Sequence, residues 1–286
     1  MPTGPGAAAD ARGAPFPVRH PSALDLARLS RLRVFPPGGV PLYRHIARLA
    51  ELGPDREFLL APCGTGVTAQ FLAETSGASG AGVDPDPALI EADTARTRAA
   101  GLAERLHFES GPLTDLPYQD AVFDVAVGEV GLASADDPAA AVAELARVTK
   151  PMGTVVLVQL IWAGNIDEPS RDLVVQALGV RPLLLVEWKQ HLRDAGVVDL
   201  YVEDWSDAAP TLRHPWTLGG LAEFHSVRDR LAVLLRAARR WGWREVLRAM
   251  RAWTEVGARV ADDRILGLSL IRGTKWVGPD QAGPGE

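Results

Sequence analysis

One stretch of the sequence decides the fold, Leu59-Leu60-Ala61-Pro62-Cys63-Gly64-Thr65-Gly66-Val67-Thr68-Ala69. An apolar run leads into a turn that contains two glycines, and a helical pattern follows the turn. Glycine tolerates positive φ and, because it has no Cβ, lets a ligand approach the backbone closely. The stretch therefore predicts a strand, a glycine turn and a helix N-terminus whose free N–H groups suit a nucleotide-like cofactor.

Short apolar strands alternate with helical patterns along the chain. We predict strands at 58–61, 80–84, 106–109, 123–127, 154–160, 197–204 and 265–272. Helices are predicted at 67–76, 87–103, 137–149, 167–178 and 183–195, after two short ones marked by Leu24 to Leu32 and by Leu42 to Leu52. This alternation predicts an α/β fold with a doubly wound, mostly parallel sheet and right-handed crossovers.

The pattern also divides the chain into segments. They are a flexible tail at 1–20, N-terminal helices at 21–55, a cofactor-binding α/β core at 56–165, the rest of the sheet with a helical substrate cap at 166–276, and a flexible tail at 277–286. The cap is an insertion before the last strand, at 205–263, with two amphipathic helical patterns separated near Gly242. An insertion this long is more typical of a lid or a substrate wall than of a structureless loop.

Composition narrows the function classes. The 286 residues are 47% hydrophobic and 23% charged, with a net charge of -6 and one cysteine. A single cysteine excludes an internal disulfide and a multi-cysteine zinc site, the scattered histidines do not suggest a metal site, and the acidic balance argues against a nucleic-acid partner. No apolar run is long enough to span a bilayer. We expect a cytoplasmic protein without integral membrane association, and its oligomeric state stays open.

Five ordered features resemble the class I methyltransferases that use S-adenosylmethionine. They are Pro62-Cys63-Gly64-Thr65-Gly66, Gly82-Val83-Asp84, Asp115-Leu116-Pro117-Tyr118, Phe123-Asp124-Val125-Ala126-Val127 and Arg147-Val148-Thr149-Lys150-Pro151-Met152-Gly153. The resemblance implies a seven-stranded, Rossmann-like methyltransferase sheet. It also implies that S-adenosyl-L-methionine is the cofactor.

The resemblance further implies a set of cofactor-binding residues, Ala61, Gly64, Thr65, Gly66, Asp84, Pro85 and Leu113. In this assignment Asp84 holds the ribose, the glycine turn approaches the amino-acid end, and Pro85 and Leu113 flank the adenine. Taken alone, Asp84 could equally cap the helix that begins near Pro87.

Three positions depart from the family pattern, which makes the cofactor motif degenerate. Leu60 stands where an acidic residue is usual, Pro62 where a first glycine is usual, and Pro112 where an acidic residue contacts the adenine. Pro62 removes one backbone donor from the turn. Asp115 could reach the adenine instead of Pro112, although capping a turn is a more ordinary role for an aspartate.

Glu129 is the candidate catalytic residue, because the end of the fourth strand faces the transferred methyl group in this family. A carboxylate there could orient the acceptor, take its proton or balance the sulfonium charge; the alternative is a solvated or capping carboxylate. Cys63 is better explained as a small side chain in a tight turn than as a nucleophile.

Eight arginines mark the insertion between 228 and 251, against Asp229 and Glu245. Such a segment suits a lid over an anionic or aromatic substrate, a membrane-surface helix, or two amphipathic helices with solvated arginines. The leading hypothesis is methyl transfer to a small organic molecule. The alternatives are a methyltransferase-fold protein that binds a ligand or partner without catalysis and, less favoured, a nicotinamide-dependent oxidoreductase.

Overall fold

The computed structural model describes residues 21–29, 35–208, 227–251 and 265–276. Both predicted flexible tails, at 1–20 and 277–286, lie outside the described residues. So do Leu32 of the first helical pattern and, within the predicted insertion, 209–226 and 252–263.

A seven-stranded sheet forms the centre of the molecule, in the order β3-β2-β1-β4-β5-β7-β6. Its strands are β1 (Glu57–Leu60), β2 (Ser79–Asp84), β3 (Leu106–Ser110), β4 (Phe123–Gly128), β5 (Thr149–Trp162), β6 (Val197–Asp204) and β7 (Leu266–Lys275). The strands from β3 to β5 in this order are parallel, and β7 is antiparallel to both of its neighbours. The predicted Rossmann-like methyltransferase fold is confirmed.

Helices connect and cover these strands, and at least three of them begin with a side-chain cap. The helices are α1 (Ala23–Leu29), α2 (Gly39–Leu49), α3 (Val67–Ser76), α4 (Pro87–Ala99), α5 (Pro138–Val148), α6 (Glu168–Leu178), α7 (Leu185–Asp194) and α8 (Val227–Trp241). Asp86, Asp137 and Asp167 cap α4, α5 and α6 through their side chains, and each helix has a proline at its first or second position. Residues 243–251 are also helical, and Gly242, at φ 88°, separates them from α8 as predicted.

The two predicted boundaries furthest from the structure are the end of α4 and the start of β5. Helix α4 ends at Ala99 rather than at 103, because Gly101 adopts φ 71° and turns the chain toward β3. Strand β5 begins at Thr149 rather than at 154, through an irregular start that contains Met152 at φ 62° and a register shift against β4.

The N-terminal helix and the insertion pack on each other near the carboxyl ends of the strands. Leu26 of α1, Val233 and Ala237 of α8, and Trp162 at the end of β5 belong to one buried apolar cluster. The Nη1 atom of Arg236 also donates a hydrogen bond to the Leu29 carbonyl oxygen. Helix α8 therefore holds α1 above the sheet edge where the predicted site lies. Within the described ranges, no helix combines the length and apolar character needed to cross a membrane.

Candidate active site

A cavity of about 160 Å³ opens at the carboxyl ends of β1, β2 and β4. Among the predicted site residues it brings together Gly64, Thr65, Asp84 and Glu129. Apolar residues from the N-terminal segment form part of the remaining wall; they are Leu24, Phe35, Pro36 and Pro37. Ligands bind at this edge of doubly wound sheets, because the strands end there and the following helices begin there.

The two turn glycines have different surroundings. Gly64 adopts φ 55°, and a Cβ added there would meet no atom within 4 Å, so its backbone is open to a ligand. Gly66 adopts φ 62°, and a Cβ there would lie 2.7 Å from Cγ of Asp93. Gly64 therefore permits approach from the cavity, whereas Gly66 permits close packing of α3 against α4.

Asp84 is fully buried at the end of β2 and organises the turn. Its Oδ2 accepts a hydrogen bond from the Gly64 N–H at 3.0 Å, and its Oδ1 accepts one from the Asp86 N–H at 3.0 Å. Burial raises the pKa of Asp84, and the two N–H donors and Arg28 oppose that shift. The residue that caps α4 is Asp86, whose Oδ1 accepts from the Ala88 N–H at 3.0 Å, so Asp84 does not have that role.

Glu129 lies at the end of β4 with only 6% of its surface exposed. Its side chain does not cap the short 3₁₀ helix that follows, and its Oε1 has no hydrogen-bond partner among the described residues. Gln159 fixes the local backbone by donating to the carbonyl oxygens of Gly128 and Glu129, at 3.0 and 2.8 Å. Burial raises the pKa of Glu129 to about 7, against the effect of the nearby hydroxyls of Thr68 and Tyr43. A buried carboxyl that titrates near neutrality can exchange a proton with a ligand.

The other predicted cofactor residues do not line this cavity. Ala61 is buried at the end of β1, Gly66 is buried at the start of α3, and Leu113 is 5% exposed within the main core. Pro85 is exposed beside Asp84. Their assignment to the cofactor stays a prediction.

The departures from the family pattern have separate structural roles. Leu60 is fully buried in the core strand β1. Pro62 follows a cis peptide bond and forms part of the cavity wall, where a Cβ on Gly131 would lie 2.7 Å from its Cγ. Pro112 and Asp115 are exposed and do not line the cavity, and the Asp115 N–H donates to the Pro112 carbonyl oxygen at 3.4 Å.

The environment of the Cys63 thiol does not allow it to act as a nucleophile. It is 2% exposed, and its pKa is raised well above the ordinary value by burial and by the nearby carboxyls of Asp84, Asp93 and Glu129. The thiolate is the reactive form, so this cysteine stays protonated and inert.

An arginine holds the loop that follows β3. Arg147 donates from Nη1 to the Tyr118 carbonyl oxygen at 2.8 Å and from Nη2 to that of Leu116 at 3.1 Å. Its Nε lies 2.6 Å from Oε1 of Glu144, whose Oε2 accepts from the Leu116 N–H at 2.7 Å. Two of the sequence motifs, at 115–118 and 147–153, are therefore joined by one planar guanidinium.

Sequence reasoning missed three residues around the site. Arg28 and Phe35 reach the cavity from the N-terminal segment, and Tyr43 of α2 is buried facing Glu129, with its hydroxyl unpaired among the described residues. The pattern of Leu42, Ile46 and Leu49 identified a helix but not which core side chain would meet the carboxyl. No local spacing carries that information.

Helix α8 and the helical residues 243–251, which carry the eight arginines between 228 and 251, have one buried face and one exposed face. Val233, Ala237, Val246 and Ala249 are buried, whereas the large apolar residues Leu231, Leu235, Trp243, Leu247 and Met250 are substantially exposed. Two arginines of α8, Arg236 and Arg240, line a second cavity. Across the described ranges, no group of three or more His, Cys, Asp or Glu residues is arranged to hold a metal ion.

Comparisons with known proteins agree with this architecture. A family model described as a methyltransferase domain matches residues 59–157. An uncharacterized protein of Haemophilus influenzae is 30% identical over 175 residues, which cover 60% of this chain and 69% of that protein. The 27-O-demethylrifamycin SV methyltransferase of Amycolatopsis mediterranei is 28% identical over 198 residues, which cover 67% of this chain and 71% of the relative.

Similarity to solved structures extends over most of the chain. The crystal structure of the [4+2]-cyclase SpnF superposes with a TM-score of 0.63 at 22% identity, over 83% of this chain and 81% of that one. At this identity the likeness concerns the fold. Together with the matched methyltransferase domain, the relatives and the strand order, it leads to one conclusion: the chain belongs to the class I S-adenosylmethionine-dependent methyltransferase family.

Proposed function

We propose that the protein transfers a methyl group from S-adenosylmethionine to a small organic molecule in the cytoplasm. One observation carries the proposal: a single cavity at the carboxyl edge of the sheet contains the open backbone of Gly64, the buried carboxylate of Asp84 and the buried carboxyl of Glu129, whose Oε1 has no hydrogen-bond partner among the described residues. These groups suit, in turn, a close ligand contact, a ribose and a proton transfer.

The residues present fit the cofactor. A Cβ on Gly64 would meet no atom within 4 Å, and the Asp84 carboxylate is oriented by two backbone N–H groups, an arrangement that would suit a ribose. Pro112 supplies no carboxylate for the adenine, which predicts weaker binding than in a protein with an acid there. S-Adenosylmethionine would supply an electrophilic methyl group on a sulfonium, which leaves as a neutral thioether.

Glu129 would act on the acceptor. A neutral O–H or N–H acceptor gains a methyl group and must lose a proton, and the unprotonated Glu129 carboxylate can take it. Since burial raises the pKa of Glu129 to about 7, the base form grows as the pH rises through neutrality. The rate of transfer should therefore increase with pH across this range.

Two observations favour a small acceptor. The cavity is narrow and is covered by the N-terminal segment, including the apolar side chains of Leu24 and Phe35. The relative from A. mediterranei is named for a small-molecule acceptor, 27-O-demethylrifamycin SV.

The test is transfer of a labelled methyl group to a panel of small alcohols, phenols, amines and carboxylates, with S-adenosylhomocysteine binding measured in parallel. For an acceptor that is methylated, Glu129→Gln should lower kcat about 100-fold or more while cofactor affinity is retained. The exposed Glu91→Gln on α4 is the matched control. Full turnover by the Glu129 variant would make this residue a bystander. Cofactor binding without transfer to any acceptor would favour the non-catalytic alternative.

A further inference from the structure

A second cavity, of about 480 Å³, lies beside the candidate active site between α1, α4 and α8. The two cavities share Arg28 and Thr65 in their walls. We call the second cavity the basic chamber, because four arginines line it: Arg28, Arg96, Arg236 and Arg240.

The two acidic side chains in its wall, Asp25 and Asp86, already accept hydrogen bonds from neighbouring residues. Oδ2 of Asp25 accepts hydrogen bonds from the N–H and the hydroxyl of Ser22, at 2.9 and 2.8 Å. Oδ1 of Asp86 accepts from the Ala88 N–H as the cap of α4.

Two aspartates and four arginines line the chamber. Two of the arginines, Arg28 and Arg96, also lie near the carboxylates of Asp84 and Asp93 outside its wall. The positive charge offered to a ligand therefore comes mainly from Arg236 and Arg240.

Among the described residues, the two arginines of α8 use few of their N–H donors. The described contacts of Arg236 use one N–H, to the Leu29 carbonyl oxygen, and Arg240 stacks on Trp241 with its Cζ 4.9 Å from the ring centroid. Within the described part of the chain, neither makes an ion pair with a carboxylate. A guanidinium has five N–H donors in a planar fork, which suits bidentate binding of a carboxylate or phosphate.

The remaining two arginines connect the chamber to the turn. Arg96 donates from Nη1 to the Thr65 carbonyl oxygen, and its Nη2 lies 3.2 Å from Oδ1 of Asp93. Arg28 stands between the cavities, with Nη2 4.0 Å from Oδ1 of Asp84. A ligand that enters the chamber thus lies next to the turn that borders the candidate active site.

We propose that the basic chamber binds an anionic group, a phosphate or carboxylate, carried by the methyl acceptor. The geometry supports this because a molecule anchored by the arginines can extend past Arg28 and Thr65 into the neighbouring cavity that contains Glu129. The acidic Glu129 would then face the uncharged, reacting end of the acceptor. This inference rests on the proposed function for the identity of the ligand, but the anion site itself can be tested separately.

The experiment is calorimetric titration of the full chain, with and without S-adenosylhomocysteine, using phenyl phosphate, inorganic phosphate and phenol as probes. Phenyl phosphate joins the anion to an apolar ring that suits the wall of Phe35, Pro36 and Pro37. We expect it to bind more tightly than either component. Arg240→Gln should weaken its binding about tenfold, because a charge-assisted contact is lost. The control is Arg239→Gln, the exposed neighbour outside the chamber wall, with less than a twofold effect.

Four results would overturn the proposal. They are an absence of heat with phenyl phosphate, equal losses in the Arg239 and Arg240 variants, binding of inorganic phosphate as tight as that of phenyl phosphate, and weaker S-adenosylhomocysteine binding in Arg240→Gln. The third result would mean that the chamber binds a free inorganic anion, and the fourth that it binds the carboxylate of the cofactor. Phenyl phosphate binding without any S-adenosylhomocysteine binding would instead contradict the proposed function and leave the anion site in place.

Discussion

The guanidinium of Arg28 in α1 faces the carboxylate of Asp84 at the end of β2, with Nη2 4.0 Å from Oδ1. Asp84 is fully buried, and its other oxygen holds the Gly64 N–H of the glycine turn. The N-terminal helix therefore places a positive charge directly over the carboxylate assigned to the ribose. A ligand bound to Asp84 would sit below α1, and the position of this helix would control access to the site.

Replacing Asp84 by Asn tests its assignment to the ribose. The amide keeps the shape of the side chain but removes its charge. Its NH2 group would also replace one of the two oxygens that accept from the N–H groups of Gly64 and Asp86. We expect the affinity for S-adenosylhomocysteine to fall roughly 10- to 100-fold, the cost of a charge-assisted contact. Calorimetry measures this. Asp86→Asn, which keeps a good helix cap, should change the affinity little. Unaltered binding in the Asp84 variant would remove the residue from the site.

Alanine at the two turn glycines should give unequal losses of stability. Both residues have positive φ, which costs a non-glycine residue roughly 1 to 2 kcal/mol. Gly66→Ala would also place its Cβ against the Asp93 carboxyl, adding roughly 1 to 3 kcal/mol, whereas Gly64→Ala meets no atom. Urea denaturation compares the two variants, and Asp93→Ala should rescue part of the Gly66 loss. Equal losses would contradict the packing described for this turn.

The stability of the protein should fall as the pH rises toward neutrality. The pKa of Glu129 is raised from 4.5 to about 7 in the folded state, so between these values the folded chain holds a proton that the unfolded chain releases. The free energy of unfolding therefore decreases across this window, by on the order of 3 kcal/mol for this group. Asp93, whose pKa burial also raises to about 7, acts in the same direction.

Glu129→Gln removes one of these protons and should flatten the pH dependence of unfolding between pH 5 and 8. Urea denaturation at several pH values measures it, with Glu91→Gln on the exposed surface of α4 as the control. Parallel curves for the wild type and the Glu129 variant would show that this carboxyl does not titrate in the window.

Arg147→Lys should loosen the loop after β3. Lysine keeps the charge but cannot bond the carbonyl oxygens of Leu116 and Tyr118 together with Glu144. Because the side chain is partly exposed, we expect a loss of roughly 1 to 2 kcal/mol in the free energy of unfolding. Proteolysis of the loop should accelerate in the variant. Wild-type stability and protease resistance would argue against this clamp.

The sequence predicted the sheet well because each core strand is a short apolar run between clear turn signals. The predicted strand at 58–61 and the observed β1, Glu57–Leu60, differ by one residue at each end. The start of β5 was missed because Pro151 and Gly153 are residues that usually interrupt a strand, whereas the chain continues through them as an irregular strand.

The site was predicted less completely, because spacing along a strand does not reveal contacts made across the fold. The glycine turn, Asp84 and Glu129 follow strand ends, so they could be placed at one edge of the sheet. Arg28 and Tyr43 approach from helices earlier in the chain, and their meeting with Asp84 and Glu129 depends on how those helices pack. In α8, the apolar Leu231 is substantially exposed whereas Val233 and Ala237 are buried, and only the packing of the helix decides this.

Calorimetric titration of the purified protein with S-adenosylmethionine and S-adenosylhomocysteine, with NADH as the control, tests the central claim most directly. The arrangement of Gly64 and Asp84 predicts binding of the first two in the micromolar range, typical of cofactor and substrate sites, and none of NADH. Absence of binding up to millimolar concentrations would contradict the account and favour a methyltransferase-fold scaffold without a cofactor. Binding of NADH alone would favour an oxidoreductase.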